Sequence, residues 1–182
     1  KVIQRLLRSP INEERLLALI ILVSQYQHAE KNKIDDMKNI IYEFYVNNLQ
    51  YVNNWNLVDA SAHYIVGAHL NNKNKSYLLQ LTQSKTLWER RIAIVATWYF
   101  IRNNNLNPTF KIATKLLHDE HDLIHKAVGW MLREAGKRDQ GRLVDFLSKY
   151  ARVMPRTMLR YAIEKFPAPI RKGYLSHAIA HS

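Results

Sequence analysis

Apolar residues recur along most of this chain at intervals of three and four, the spacing that places them on one face of an α-helix. The longest such stretch spans residues 13–28, and Asn12, which precedes it, is a favoured N-cap residue. Its apolar positions are Leu16, Leu17, Leu19, Ile20, Leu22 and Val23. We therefore predict a helix over this stretch, with one face turned toward a core.

The same pattern predicts nine further helices, joined by short polar turns. They are expected at 33–48, 55–69, 75–82, 86–102, 108–117, 122–135, 140–150, 155–165 and from Ile170 to the end of the chain. Asn54 is placed to cap the helix over 55–69, and Thr86 with Glu89 has the pattern of a capping box. Pro108 and Pro155 suit the first turns of their helices.

Grouping these helices in pairs exposes a repeat. One helix of each pair begins near Asn12, Asn54, Thr86, Asp122 and Pro155, a spacing of roughly 32 to 42 residues. That interval is typical of HEAT-like two-helix repeats. We predict an all-α fold in which these repeats form a curved α-solenoid, with the first helices of successive pairs lining a basic concave face. A compact bundle without repeats is the alternative architecture.

Composition narrows the class of protein. The 182 residues include only 5 Gly and 5 Pro, which argues against a loop-rich β-sandwich or a glycine-rich nucleotide-binding fold. We expect one domain over 1–182, with N-terminal residues missing before Lys1. The absence of cysteine excludes disulfides and thiolate metal sites, and it agrees with a cytoplasmic location. No apolar run is long enough to span a membrane, and no secretory signal is visible.

Charge points to the kind of partner. The chain carries 27 Lys+Arg against 15 Asp+Glu, a net charge of +12. Such a balance favours binding to nucleic acid or to an anionic membrane surface. A basic protein that is merely soluble is the alternative interpretation.

Tryptophan, arginine and one aspartate recur at equivalent places along the predicted row of first helices. These residues are Trp55, Asp59, Trp88, Arg90, Arg91, Trp130, Arg133, Arg156 and Arg160. Each has a structural alternative: a tryptophan at helical spacing is often core, Arg133 could pair with an acid such as Asp145, and Asp59 could bond a neighbouring turn. Their recurrence favours a shared groove. A lone carboxylate in that groove would weaken DNA binding, so Asp59 is expected to serve chemistry.

A second cluster, His118, His121 and His125 among three acids, could suggest a metal site. The acids fall just before or within a first helical turn, where they interact favourably with the helix dipole. We expect no metal and no cofactor. His63 and His69 are not at a ligand spacing on one helix face, so we interpret them as surface or packing histidines.

Four segments carry a resemblance to a known family. They are Asn54-Trp-Asn-Leu-Val-Asp59, Trp88-Glu-Arg-Arg-Ile-Ala-Ile94, Lys126-Ala-Val-Gly-Trp-Met-Leu-Arg-Glu134 and Pro155-Arg-Thr-Met-Leu-Arg-Tyr-Ala162. From about Ser9 to Pro167, the chain resembles the DNA alkylation repair glycosylases of the AlkD type, which are built of HEAT-like repeats. The family's opening helices look short or absent here.

The resemblance implies a function and a set of roles. The family removes positively charged N3- and N7-alkylated purines from DNA. By position, Asp59 is the catalytic aspartate, Trp55 and Trp130 flank the sugar of the lesion, Arg91 binds the DNA backbone, and Arg133 is another basic residue of the groove. Arg90 and Arg156 are expected to hold further phosphates.

The predicted protein is thus an alkylpurine DNA glycosylase of base excision repair, similar to 3-methyladenine- and 7-methylguanine-releasing enzymes. Its partner is double-stranded DNA containing alkylated bases, and we expect a monomer associated with the bacterial nucleoid, with no membrane contact. Two alternatives stay open: a non-catalytic HEAT-repeat protein that recognises distorted or branched DNA, and a solenoid that binds other proteins.

Overall fold

The computed structural model describes residues 1–177, and this part of the chain contains twelve α-helices and no β-strand. The helices are α1 Val2–Leu7, α2 Asn12–Lys31, α3 Asp35–Val46, α4 Trp55–Ala62, α5 Ser76–Leu81, α6 Leu87–Val95, α7 Thr97–Arg102, α8 Asn107–Lys115, α9 Asp122–Arg138, α10 Gln140–Tyr150, α11 Arg156–Ala162 and α12 Ala168–His177. A 3₁₀ turn, Leu49–Tyr51, precedes α4, and a π-helical turn, His63–Gly67, continues it. The prediction of an all-α fold is confirmed.

The first helices of the predicted pairs form one continuous row. Helix α2 packs against α4, α4 against α6, α6 against α9, and α9 against α11. The other helices pack onto this row, α3 onto α2, α5 onto α6, α8 and α10 onto α9, and α12 onto α11. This order is consistent with an α-solenoid-like arrangement. The HEAT character, the curvature and the basic concave face stay predictions.

The buried apolar side chains form a continuous cluster that runs from Leu7 to Phe166. Two hydroxyls inside it are bonded locally: that of the fully buried Tyr45 lies 2.9 Å from Oγ of Ser61, which donates to the Leu57 carbonyl. The cluster therefore ties α3 to α4 without leaving these hydroxyls unsatisfied. No helix in the described residues is both long enough and apolar enough to cross a bilayer.

Two predicted helix boundaries are wrong for backbone reasons. Lys33 adopts a left-handed conformation with φ 57°, and the next residue, Ile34, donates to the Ala29 carbonyl, so α2 ends there and α3 begins only at Asp35. The single helix expected over 86–102 divides at Ala96 into α6 and α7. The Thr97 hydroxyl donates to the Ile94 carbonyl at this point, a side-chain bond that competes with the helical ladder.

The predicted N-caps are only partly correct. Ile11 is the N-cap of α2, and Asn12 is already helical. Asn54 and Thr86 do occupy N-cap positions, but neither side chain accepts a capping bond. The capping box at Thr86 does not form because its backbone N–H already donates to Ser84 Oγ.

Side chains cap two helices whose caps were not predicted from the sequence. The His121 ring accepts from the Leu123 N–H at the start of α9, and Asp139 accepts from the Arg142 N–H at the start of α10. Pro155 is the N-cap of α11, which is shorter than expected. Helix α12 begins at Ala168, before the predicted start, and residues 178–182 of the predicted last helix lie outside the described residues.

Gly129 sets the distance between α9 and α11. A Cβ atom at this position would lie 2.5 Å from the Met158 carbonyl oxygen and 2.5 Å from Tyr161 Cβ. Only a glycine lets the two helix backbones approach this closely. The adjacent residue, Trp130, is thereby brought next to the side of α11 that carries Tyr161.

We expect Gly129→Ala to destabilise the protein by about 1–3 kcal/mol, because overpacking a helix contact outweighs the higher helix propensity of alanine. Chemical denaturation followed by circular dichroism measures the change. Gly141→Ala in α10 is the matched control, since its added Cβ meets Asp139 Oδ1 at an ordinary 3.4 Å. Equal stability of the two variants would contradict the close approach.

Candidate active site

Helices α4, α6, α9 and α11 surround an open cavity of about 420 Å³. It is lined by Trp55, Asp59, Arg91, Leu123, Lys126, Trp130, Arg133 and Tyr161. Five of these residues were predicted from the sequence to share a groove, and the row of helices brings them together. Arg90 and Arg156, which were predicted to bind DNA beside them, do not line this cavity.

Asp59 and Arg91 form a bidentate ion pair at the floor of the cavity. Arg91 Nε lies 2.9 Å from Asp59 Oδ1, and Nη2 lies 2.8 Å from Oδ2. The third guanidinium nitrogen, Nη1, donates to the Leu123 carbonyl at 2.5 Å. One guanidinium thus joins α4, α6 and α9, and it fixes the plane of the Asp59 carboxylate.

This pairing changes the interpretation of both residues. Asp59 is the one carboxylate among the described lining residues, as expected, but it is paired: both of its oxygens accept from Arg91 rather than from a neighbouring turn. Only 6% of the Arg91 side chain is exposed, against 21% for Asp59. The carboxylate therefore lies nearer the open cavity and the cation behind it. That Arg91 contacts a DNA phosphate stays a prediction.

The two tryptophans of the cavity are held differently. Trp55 begins α4 and is 55% exposed, so most of its indole is free to meet a ligand. Trp130 packs edge-on against Trp98, with ring centroids 5.0 Å apart and an interplanar angle of 63°. Trp98 in turn lies 4.6 Å from the ring of His63. The stack gives Trp130 a fixed position beside Asp59.

His63, which lies between the rings of Trp98 and Tyr64, is buried and stays uncharged near neutral pH. Burial and the positive charge of Arg102 lower its pKa to about 3, and only the backbone of Asp59 acts in the opposite direction. His63 lies one turn after Asp59 and opens the π-helical turn. The interpretation of this residue as a packing histidine agrees with its place in the aromatic stack.

The arginines predicted to hold phosphates are mostly engaged within the protein. Arg133 pairs with Glu164 and with Glu134, so the alternative that it pairs with an acid is confirmed, although the partner is not Asp145. Arg90 Nε lies 2.6 Å from Asp119 Oδ2, and its Nη1 donates to two backbone carbonyls. These arginine side chains are therefore already bonded to other groups of the protein.

Three lining residues were not predicted: Leu123, Lys126 and Tyr161. Lys126 is 41% exposed and pairs with Asp122 at 2.7 Å, and the hydrogen bond and charge of that carboxylate raise the pKa of Lys126. The signal for Lys126 was present, since it precedes Trp130 by four residues and must share its helix face. Tyr161 could not be found this way, because the approach of α11 to α9 places it in the cavity.

Comparison with known protein families identifies the family to which the chain belongs. A family model described as DNA alkylation repair enzyme matches residues 1–166. The chain belongs to this DNA alkylation repair family. No curated protein and no solved structure matches the chain.

Membership indicates a role in the repair of alkylation damage, and therefore contact with DNA. The matched region contains every residue that lines the Asp59 cavity and ends before α12 begins. The family description does not specify the reaction or the lesion.

Three arginine contacts recur at a nearly constant interval along the chain. Arg91 reaches Asp59 32 residues back along the chain and Leu123 32 residues ahead of it, while Arg133 reaches Glu164 31 residues ahead. Each bond joins one helix of the row to a neighbouring helix or to the turn that follows it. The arginines therefore connect neighbouring helices of the row.

The histidine cluster before α9 has structural roles. The His125 ring bonds the Asp119 carbonyl, and the His121 ring caps α9 through the Leu123 N–H. Within residues 1–177, no three potential ligands are grouped so that they could hold a metal ion. The cluster positions the start of α9, and with it the Leu123 carbonyl that Arg91 bonds.

The Asp59–Arg91 pair is expected to be energetically coupled. Asp59→Ala should cost about 3 kcal/mol, because it leaves a buried guanidinium without its partner. Arg91→Met should cost somewhat less, since water can reach the more exposed carboxylate. The double variant should cost less than the sum of both by at least about 1 kcal/mol in a double-mutant cycle of denaturant unfolding.

The exposed pair Asp122–Lys126 provides the matched control for this cycle, with side chains that are 54% and 41% exposed. Its coupling should not exceed about 0.5 kcal/mol. If the Asp59 and Arg91 variants are simply additive, the pair does not hold α4 and α6 together.

Proposed function

We propose that this protein is a DNA glycosylase that hydrolyses the N-glycosidic bond of positively charged N3- or N7-alkylated purines in double-stranded DNA. The observation that carries the proposal is the Asp59 carboxylate, held by Arg91 at the floor of an open cavity between Trp55 and Trp130. Family membership supports the substrate class, since it indicates repair of alkylation damage.

The chemistry needs only one carboxylate because of the charge on the substrate. Breaking a glycosidic bond develops positive charge at C1′ of the sugar, and enzymes that cleave neutral glycosides use a second carboxyl group to protonate the leaving group. A purine alkylated at N3 or N7 is already cationic, so it takes the bonding electrons and departs as a neutral base. Water then bonds to C1′ and loses a proton.

Asp59 would stabilise the cationic sugar and orient that water. The positively charged guanidinium of Arg91, which lies behind the carboxylate, weakens this stabilisation of the cationic sugar but does not cancel it. A cation about 4 Å from the carboxylate and about 8 Å from the guanidinium would gain about 4 kcal/mol and lose about 2 kcal/mol at an effective dielectric constant of 20. The carboxylate lies on the exposed side of the pair, so the net interaction favours the cation.

Aromatic faces and a basic side chain complete the site. An indole face attracts a cation by about 0.5–2 kcal/mol, and most of the Trp55 indole is exposed. Trp130 would bound the sugar from its fixed place against Trp98. Lys126, on the same face of α9 as Trp130, would hold a phosphate next to the lesion without reading sequence.

One observation favours the second candidate, a DNA-binding protein without catalysis. Both oxygens of Asp59 already accept bonds from Arg91, as they would in a purely structural ion pair. A carboxylate has about four acceptor positions, however, so two remain for water or a cationic sugar. Release of the damaged base distinguishes the two functions, whereas DNA binding does not.

The protein is expected to release 7-methylguanine and 3-methyladenine from methylated duplex DNA above the spontaneous rate, and Asp59→Asn should lower that release at least about 100-fold. An asparagine retains one acceptor for Arg91, so the variant should fold and still bind DNA. Chromatography of the released bases gives the rate, and thermal unfolding confirms the fold.

Asp145→Asn in α10 is the matched control, because it changes the net charge equally at an exposed position away from the cavity. It should release bases at the wild-type rate. If the folded wild-type protein binds methylated DNA but releases no alkylated base above the spontaneous rate, the protein is not a glycosylase and the non-catalytic function is correct.

Trp55→Ala should lower the excision rate by about tenfold and leave the unfolding temperature nearly unchanged, since the exposed indole contributes to the cationic substrate rather than to the core. Ile40→Ala in α3 removes an apolar side chain that is 60% exposed and lies outside the cavity, and it should have no effect. Single-turnover base release measures both variants. Equal rates for the two would exclude Trp55 from the site.

A further inference from the structure

A second groove, about 550 Å³ in volume, lies between α11 and α12. Its lining contains four basic residues and one acid on an apolar floor. The basic residues are Arg156, Arg160, Arg171 and Lys172, and the acid is Glu164. Arg160 and Lys172 are exposed at its surface.

The cations of this groove differ from those of the Asp59 cavity in one respect. In the cavity, Arg91, Lys126 and Arg133 each pair with a carboxylate. None of the four groove cations forms an ion pair with an acid among residues 1–177. The single acid, Glu164, is occupied by Arg133 and Lys165 outside this set, and both lower its pKa. The groove is therefore a concentration of uncompensated positive charge.

Two of these cations are held in place by backbone carbonyls. Arg156 Nη1 donates to the Leu175 carbonyl at 2.8 Å, and Arg171 Nη1 donates to the Glu164 carbonyl at 3.2 Å. Each bond crosses between α11 and α12 or the turn that joins them. A guanidinium has five N–H donors. Each of these two bonds to a carbonyl therefore fixes the position of the guanidinium and leaves other N–H groups that can donate to an anion.

Helix α11 contributes residues both to this groove and to the Asp59 cavity. This helix places Tyr161 in the cavity and Arg160 in the groove, and the Arg133–Glu164 ion pair connects the two linings. The other wall is α12, which lies beyond the region matched by the family model. One wall of the groove thus lies inside the matched region and the other outside it.

We propose that this groove binds backbone phosphates of the DNA strand as it leaves the Asp59 cavity. The inference rests on the proposed function, because that function places the duplex over the cavity. Cations without a carboxylate partner bind phosphate more readily, since no internal ion pair has to be broken first. The four cations on one side of the lesion would fix the register of the strand and carry no sequence preference.

The salt dependence of DNA affinity tests this proposal quantitatively. Each phosphate contact contributes about 0.9 to the slope of log affinity against log salt concentration. Arg160→Gln/Lys172→Gln removes two exposed cations that hold no backbone carbonyl. It should lower affinity for an undamaged duplex about tenfold or more at 0.1 M salt, and reduce the slope by about 2.

The matched control is Lys115→Gln/Lys149→Gln, which changes the net charge equally at exposed positions of α8 and α10 outside both linings. Fluorescence anisotropy of a labelled duplex measures all three proteins. Because the duplex carries no damage, the result does not depend on base release, and failure of the proposed function is detected separately by the excision assay.

Equal losses in the two double variants would overturn the inference, because general charge rather than the groove would then account for binding. An unchanged slope in Arg160→Gln/Lys172→Gln would overturn it as well. Sedimentation with phosphatidylcholine–phosphatidylserine vesicles gives the remaining comparison. A variant that loses vesicle binding and keeps DNA affinity would identify the groove as a membrane surface instead.

Discussion

The ion pair between Asp59 and Arg91 is the contact on which the candidate site depends. Arg91 is almost fully buried, and its three nitrogens bond groups from the helices before and after its own. A buried guanidinium is stable only when its donors are satisfied, so α4, α6 and α9 have to keep their relative positions. The same bonds orient the carboxylate toward the cavity. Stability and the geometry needed for chemistry are therefore supplied by one interaction.

Positive charge is distributed unevenly along the row of helices. In its middle, arginines are neutralised by acids from a neighbouring helix or turn, and the exposed lysine of the cavity, Lys126, is paired with Asp122. At its end, the α11–α12 groove carries cations that have no acidic partner among the described residues. This division suits a site in which the carboxylate faces a cationic sugar while most of the phosphate contacts are made to one side of it. A carboxylate surrounded by free arginines would be neutralised by them.

Much of the fold follows from the sequence, because helical periodicity and the interval between repeats are local properties that packing then preserves. The helix ends were less predictable: a capping bond at Thr86 depends on whether its N–H is free, and Ser84 occupies it. Five of the eight residues that line the cavity could be predicted from recurrence at equivalent positions. Their pairing could not, since Asp59 and Arg91 meet through the register of two packed helices 32 residues apart. Tyr161 reaches the cavity only because Gly129 allows α11 to approach.

The central claim is that the paired Asp59 carboxylate still favours a cation at C1′. Two duplexes test it directly, one containing a positively charged pyrrolidine in place of the lesion sugar and the other a neutral tetrahydrofuran of the same shape. The wild-type protein should bind the charged duplex at least about tenfold more tightly, as expected for a net interaction of about 2 kcal/mol, and Asp59→Asn should lose that preference. Equal affinity of the wild-type protein for the two duplexes would contradict the account.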